Sequence, residues 1–124
     1  MRLKDRLRRL QQEAEKGGVL IRQRDGTVRV FDVMRIHTEM LLAQCYLLRG
    51  TARDSEVLDA VRRATPESRR AFEECYGPIT MSARILGVDG SVETYTLTES
   101  GQVEKVRHEG GSEEAERIWQ NARQ

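Results

Sequence analysis

With 124 residues, 33% of them charged and 5% aromatic, the chain has room for about one hydrophobic core, built mainly from Leu, Ile, Val, Met and Ala. The longest uncharged apolar run, Met40 to Leu48, is about half of what a membrane span requires, so no span is expected. The formal net charge of +1 excludes a uniformly basic domain, yet residues 1–35 carry ten basic and five acidic side chains while residues 88–124 carry four and eight.

In chain order, Leu3, Leu7, Leu10 and Ala14 recur at spacings of four, three and four, an apolar stripe on a helix otherwise covered by Arg, Lys, Gln and Glu. Such a stripe docks either on its own core or on the same helix of a second copy. Gly17 and Gly18 end this helix. Arg2, Lys4, Asp5 and Arg6 stand where a secretory signal needs its apolar core, so a cytoplasmic chain is expected.

Val19 to Phe31 reads as a β-hairpin closed by a two-residue type I′ turn at Asp25-Gly26. That turn sets Ile21 opposite Val30, Leu20 opposite Phe31 and Arg22 opposite Arg29. Two facing arginines destabilise a ladder unless an acid of this chain or an outside anion neutralises them.

From Asp32 to Gly50, apolar residues at Met34, Ile36, Met40, Leu41, Ala43, Cys45, Leu47 and Leu48 cover an arc too wide for a surface helix. They predict a central buried helix, capped by Asp32 and stopped by Gly50. A second helix over Thr51–Ala64 presents Val57, Leu58 and Val61. A third starts at Thr65-Pro66-Glu67, turns Ala71, Phe72 and Cys75 inward, and ends at Gly77-Pro78.

From Ile79 to Arg107 the periodicity becomes two, predicting a three-stranded meander with turns at Asp89-Gly90 and Ser100-Gly101. DGTVRVF, DGSVETY and SGQVEKV look alike but are too short to establish a repeat. Ser112 caps a last helix, anchored by Ile118 and Trp119. The expected fold is a single α+β domain over 1–124, its strands free to join one sheet.

Two-residue turns would gather Arg84, Glu93, Tyr95 and His108 on one sheet face, as a proton-transfer or ligand site or as a solvated ion-pair lattice. His37 reads as a core-edge histidine, and Cys45 and Cys75, without CxxC or Cys/His clustering, as buried free thiols. No P-loop, dinucleotide fingerprint, zinc spacing or nucleophile elbow occurs, so no metal, cofactor or catalytic residue is expected.

The first third concentrates arginine: Arg2, Arg6, Arg8 and Arg9 with Lys4 on the helix, then Arg22, Arg24 and Arg29 on the hairpin. Lys stands only at positions 4, 16 and 105, and the remaining basic residues are Arg, which pairs bidentately with carboxylate or phosphate. The reading is a non-catalytic binding or adaptor module, with Arg6, Arg9, Arg22, Arg24 and Arg29 holding nucleic acid or an acidic protein. No aromatic residue is interleaved for base stacking, and the pI near 7.8 lies below the usual range of nucleic-acid domains. The alternative is self-association or protein docking through Leu3, Leu7 and Leu10, with basic and acidic thirds pairing in a homodimer.

The opening MRLKDRLRRLQQEAEKGGVLIRQRDGTVRVF resembles the start of small uncharacterised proteins of high-GC actinobacteria, which share a basic RLRRL helix, a VLI strand and a DG turn followed by an aromatic residue. The resemblance covers about the first quarter of the chain. It implies a bacterial cytoplasmic setting and carries no activity, cofactor or catalytic residue.

Overall fold

The structure is a computed structural model and describes residues 3–5, 8 and 17–123. It is of the α+β class, with two separate antiparallel sheets where a single one was open to the sequence. The described residues fall into two compact units, one from the chain up to Leu42 with Asp54–Ile79, the other from Ala43–Arg53 with Thr80 onward. The element order is β1 (Gly18–Arg22), β2 (Val28–Asp32), α1 (Val33–Leu47), α2 (Glu56–Arg62), α3 (Pro66–Tyr76), β3 (Ser82–Leu86), β4 (Val92–Leu97), β5 (Val103–His108) and α4 (Glu113–Ala122). Among the described residues no helix is long and apolar enough to cross a membrane.

In the first unit α2 packs on α3, and α3 on β1. Ile21, Phe31, Ile36, Val57, Leu58, Val61, Phe72 and Ile79 are buried there. The second unit buries Leu47, Met81, Val92, Leu97 and Ala115. Local chemistry explains where the helices begin. The Asp32 carboxylate accepts the Met34 N–H at 2.7 Å, Ser55 and Thr65 accept from Leu58 and Ser68, and Ser112 accepts from Ala115. The second helix is shorter than its apolar pattern suggested because Ser55, inside the predicted span, takes the capping role.

All three hairpins differ from their predicted turns in the same way. A type I′ turn needs positive φ at both central residues, and no non-glycine residue among those described has it. Gly26, Gly90 and Gly101 instead donate to the carbonyls of Gln23, Gly87 and Thr98, closing a tight turn, while the N–H groups of Gln23, Gly87 and Thr98 donate to the carbonyls of Thr27, Ser91 and Gln102. Each loop therefore has three residues and ends in a left-handed glycine bulge. In two of the three an acid before the glycine braces this form: Asp25 accepts the Thr27 N–H and hydroxyl at 2.9 and 2.6 Å, and Asp89 does the same for Ser91 at 3.0 and 2.6 Å.

The extra residue shifts each predicted pairing by one. Arg22 pairs with Val28, Ile21 with Arg29 and Leu20 with Val30. Arg84 pairs with Thr94, Ile85 with Glu93, and Glu93 in turn with Arg107. Because strand side chains alternate, a one-residue shift moves a residue to the other face relative to its expected partner.

The predicted central helix is present, but it is not buried all round. Ile36, Met40, Ala43 and Leu47 are buried, at spacings of four, three and four. Met34, Thr38, Leu41, Cys45 and Leu48 lie outside that stripe and are exposed, Met34 by 71%, Leu41 by 60% and Leu48 by 49%. Their spacing is four, three, four and three. At 100° per residue the two stripes lie about 150° apart, so the wide arc in the sequence is two narrow stripes on opposite sides of one helix.

Candidate functional site

Of the five arginines expected to bind, Arg6 and Arg9 lie outside the described residues, as do Leu7 and Leu10 of the apolar stripe. Arg22 and Arg29 do not face each other and are on opposite sides of the hairpin. Arg29 shares a face with Ile21 and Phe31. Its guanidinium lies 5.2 Å from the Phe31 ring centre and 3.6 Å from Glu56, which Arg35 also reaches at 3.0 Å. The acid that offsets Arg29 is therefore the chain's own.

Arg24 meets two arginines the sequence reading had not singled out, while Arg22 lies against Thr65 and Ser68. Gln23 forms an antiparallel bridge with Ala64, and its buried amide donates to the Ala60 carbonyl at 2.9 Å, tying the hairpin tip to the α2–α3 connection. Arg24 donates from its main chain to the Arg63 carbonyl and from its guanidinium to the Arg62 carbonyl, both at 2.9 Å. It thus serves the exposed carbonyls at the end of α2. The outcome is a patch of Arg22, Arg24, Arg62 and Arg63, tempered by the Arg62–Asp59 pair at 2.8 Å and by Glu67 beside Arg22. Nothing in residue type marks Arg62 and Arg63 in the sequence, because the bridge that recruits them is long-range.

The second stripe of α1 is the other surface the sequence misassigned. Its signal was present as an independent 4-3-4-3 spacing interleaved with the core spacing, but periodicity reports direction around a helix and not depth. Large apolar side chains in contiguous exposed rows are uncommon on soluble surfaces and mark interaction sites. Leu3, the one described residue of the N-terminal apolar stripe, is 71% exposed as well.

On the second sheet the predicted group separates. Arg84 and His108 belong to one face and Glu93 and Tyr95 to the other, with Lys105 and Arg107 beside them. The Tyr95 hydroxyl donates to Glu93 at 2.8 Å, and Arg107 reaches Glu93 at 3.1 Å and Glu109 at 2.9 Å. The hydrogen bond from Tyr95, helped by Lys105 and Arg107, holds the Glu93 carboxyl below its ordinary 4.5. The same bond raises the Tyr95 phenol above 10.0. Both shifts move away from neutrality, the reverse of what a proton-transfer pair needs. The group reads as cross-strand bracing.

This bracing carries a pH dependence. A carboxyl lowered by folding stabilises fully above its unfolded value and loses that contribution as pH falls through its folded value. The raised phenol stabilises below its unfolded value and loses its contribution as pH rises through the raised one. Glu93→Gln is expected to flatten the acid limb of thermal stability, measured by circular dichroism from neutrality down through the carboxylate range. An unchanged acid limb would show that the pair is not coupled to folding.

His37 packs edge-on against Tyr76, ring centres 5.3 Å apart at 72°. Its surroundings are aromatic, and its own residue is exposed. Cys45 and Cys75 are free but exposed, contrary to the buried thiols expected, since Cys75 and Ala71 lie off the Phe72 face of α3 and Cys45 falls on the outer stripe of α1. Among the described residues no group of three His, Cys, Asp or Glu could hold a metal ion. Trp119 is the anchor expected of it, donating to the Gly90 carbonyl at 3.0 Å, with Arg123 over its ring at 5.9 Å. Comparison with protein-family models, with curated proteins and with solved structures gave no match.

Proposed function

We propose that this chain is a non-catalytic binding module that works by self-association, with a second copy covering the outer stripe of α1. The observation that carries this reading is the exposed 4-3-4-3 row of Met34, Thr38, Leu41, Cys45 and Leu48 on the helix side opposite its buried stripe. The alternative through Leu3, Leu7 and Leu10 has Leu3, 71% exposed, as its one described residue. A bacterial cytoplasmic setting, drawn from the resemblance of the opening quarter, agrees with two free thiols.

A second reading keeps an anionic partner, nucleic acid or an acidic protein, on the arginines. It is favoured by the bridge that gathers Arg22 and Arg24 with Arg62 and Arg63. One preparation tests both readings. Light scattering over a concentration series is expected to give a dimer, and Leu41→Glu a folded monomer. A wild-type monomer throughout would end the first reading. Fluorescence anisotropy with labelled single- and double-stranded nucleic acid addresses the second: affinity falling linearly on log–log axes with salt supports it, and no binding at low salt dismisses nucleic acid.

A further inference from the structure

We propose that two copies pair the outer sides of their α1 helices antiparallel across a two-fold axis, Met34 of each meeting Cys45 of the other and Thr38 meeting Leu41. This rests on the self-association reading and names the segment, direction and register that perform it. Met34 is 71% and Leu41 60% exposed, and Thr38 and Cys45 are exposed as well. One kind of surface can seal such a row without a second kind only if the row is its own complement.

It is its own complement in one direction. Large and small side chains alternate along the row as Met34, Thr38, Leu41 and Cys45. Reversing one helix sets Met34 on Cys45, Thr38 on Leu41, Leu41 on Thr38 and Cys45 on Met34. Every layer then joins a large side chain to a small one, as close packing favours. The parallel order stacks each residue on itself, so the layers at Met34 and Leu41 are crowded and those at Thr38 and Cys45 are thin. Because the same patch serves both copies, the contact closes as a dimer and leaves no half free for a third.

Charge selects the register. Sliding the helices by one heptad pairs Thr38 with Leu48 and Leu41 with Cys45, an equally good alternation of size, but it brings Arg35 of each copy beside Arg49 of the other, like charges meeting twice. The proposed register flanks the seam instead with Arg35 beside Leu42 and His37 beside Gln44. Its layers also fall wholly within Val33–Leu47, with the two-fold near the middle of the helix, whereas Leu48 lies past the end. Four layers are under two heptads, and an isolated coiled coil needs about three to four. Here each helix is already formed on its own buried stripe of Ile36, Met40, Ala43 and Leu47, so pairing does not have to order the helix as well.

Disulfide trapping tests the arrangement, using the native Cys45 as one partner. In the full-length chain with Cys75→Ser, Met34→Cys is oxidised with diamide and run on a non-reducing gel beside two controls, the Cys75→Ser parent and Met34→Cys with both native cysteines changed to Ser. Positions 34 and 45 of one helix stand about 16 Å apart at 1.5 Å per residue. A disulfide spans Cα atoms about 4.4–6.8 Å apart, so a bridge between these positions joins two copies and reports their register. The expected result is a dimer of twice the chain mass when positions 34 and 45 both carry Cys, absent from both controls. Equal cross-linking in either control would overturn the antiparallel order in favour of like residues meeting. No cross-link in a chain that light scattering finds dimeric would overturn this arrangement and leave self-association standing, whereas a monomeric mass at every concentration would remove the self-association reading itself.

Discussion

Ile36→Ala is expected to lower the stability of the isolated chain by about 2–5 kcal/mol, while Leu41→Ala, on the same helix, changes it by no more than about 0.5 kcal/mol. Ile36 is fully buried, and truncating it removes apolar contacts and leaves a cavity that a close-packed surround fills only in part. Leu41 is 60% exposed, so its truncation opens no cavity and returns little surface to water. Urea denaturation followed by circular dichroism, at dilutions where light scattering finds monomer, measures both. The same Leu41→Ala substitution should weaken assembly at higher concentration, separating the two stripes by their observables. If both substitutions cost several kcal/mol at dilution, the outer stripe belongs to the core of a single chain.

That contrast also shows which parts of the structure the sequence made legible. Three helix starts were legible because a cap is a local chemical device: Asp32, Thr65 with Pro66, and Ser112 each accept a hydrogen bond from an N–H two or three residues ahead, whereas the Ser55 cap inside Thr51–Ala64 was missed. The meander and the class of the fold followed from turn residues and a change of period. Strand register was not legible from the turn dipeptide alone, because a residue pair ending in Gly fits a three-residue bulged loop as well as a two-residue one, as the Ser100-Gly101 turn also shows. Thr27 and Ser91 offer a main-chain and a hydroxyl donor to the preceding Asp carboxylate, which favours a three-residue bulged loop over a two-residue one. The resulting shift dispersed the Arg84, Glu93, Tyr95 and His108 group and separated Arg22 from Arg29. Depth was the other missing quantity: Leu41 and Ile36 are equally apolar in a sequence, and only tertiary packing distinguishes them.

The second large effect is expected at Gly110, where Gly110→Ala should destabilise the chain by about 1–3 kcal/mol through overpacking alone. A Cβ at this position would stand 2.2 Å from the main-chain oxygen of Asp89 and 3.3 Å from the carbonyl carbon of Gly90. Rotation of a side chain cannot relieve a clash with backbone, so the β3–β4 turn must move. That turn is held by Asp89 on Ser91 and by Arg107 on Asp89 at 3.5 Å, and it supplies the Gly90 carbonyl that binds the indole of Trp119. Moving it costs those bonds as well. Gly111 provides the control, because a Cβ there meets nothing within 4 Å and the penalty is only that of a side chain at φ +85, about 1 kcal/mol. Trp119 is the single tryptophan of the chain, so its fluorescence reports this corner directly. Gly110→Ala should shift its emission to the red and lower the midpoint of thermal unfolding, whereas Gly111→Ala should lower the midpoint less and leave native emission unchanged. Equal effects at the two glycines would mean that the turn yields easily, and that the Trp119 anchor does not depend on the close approach of Gly110 to Asp89.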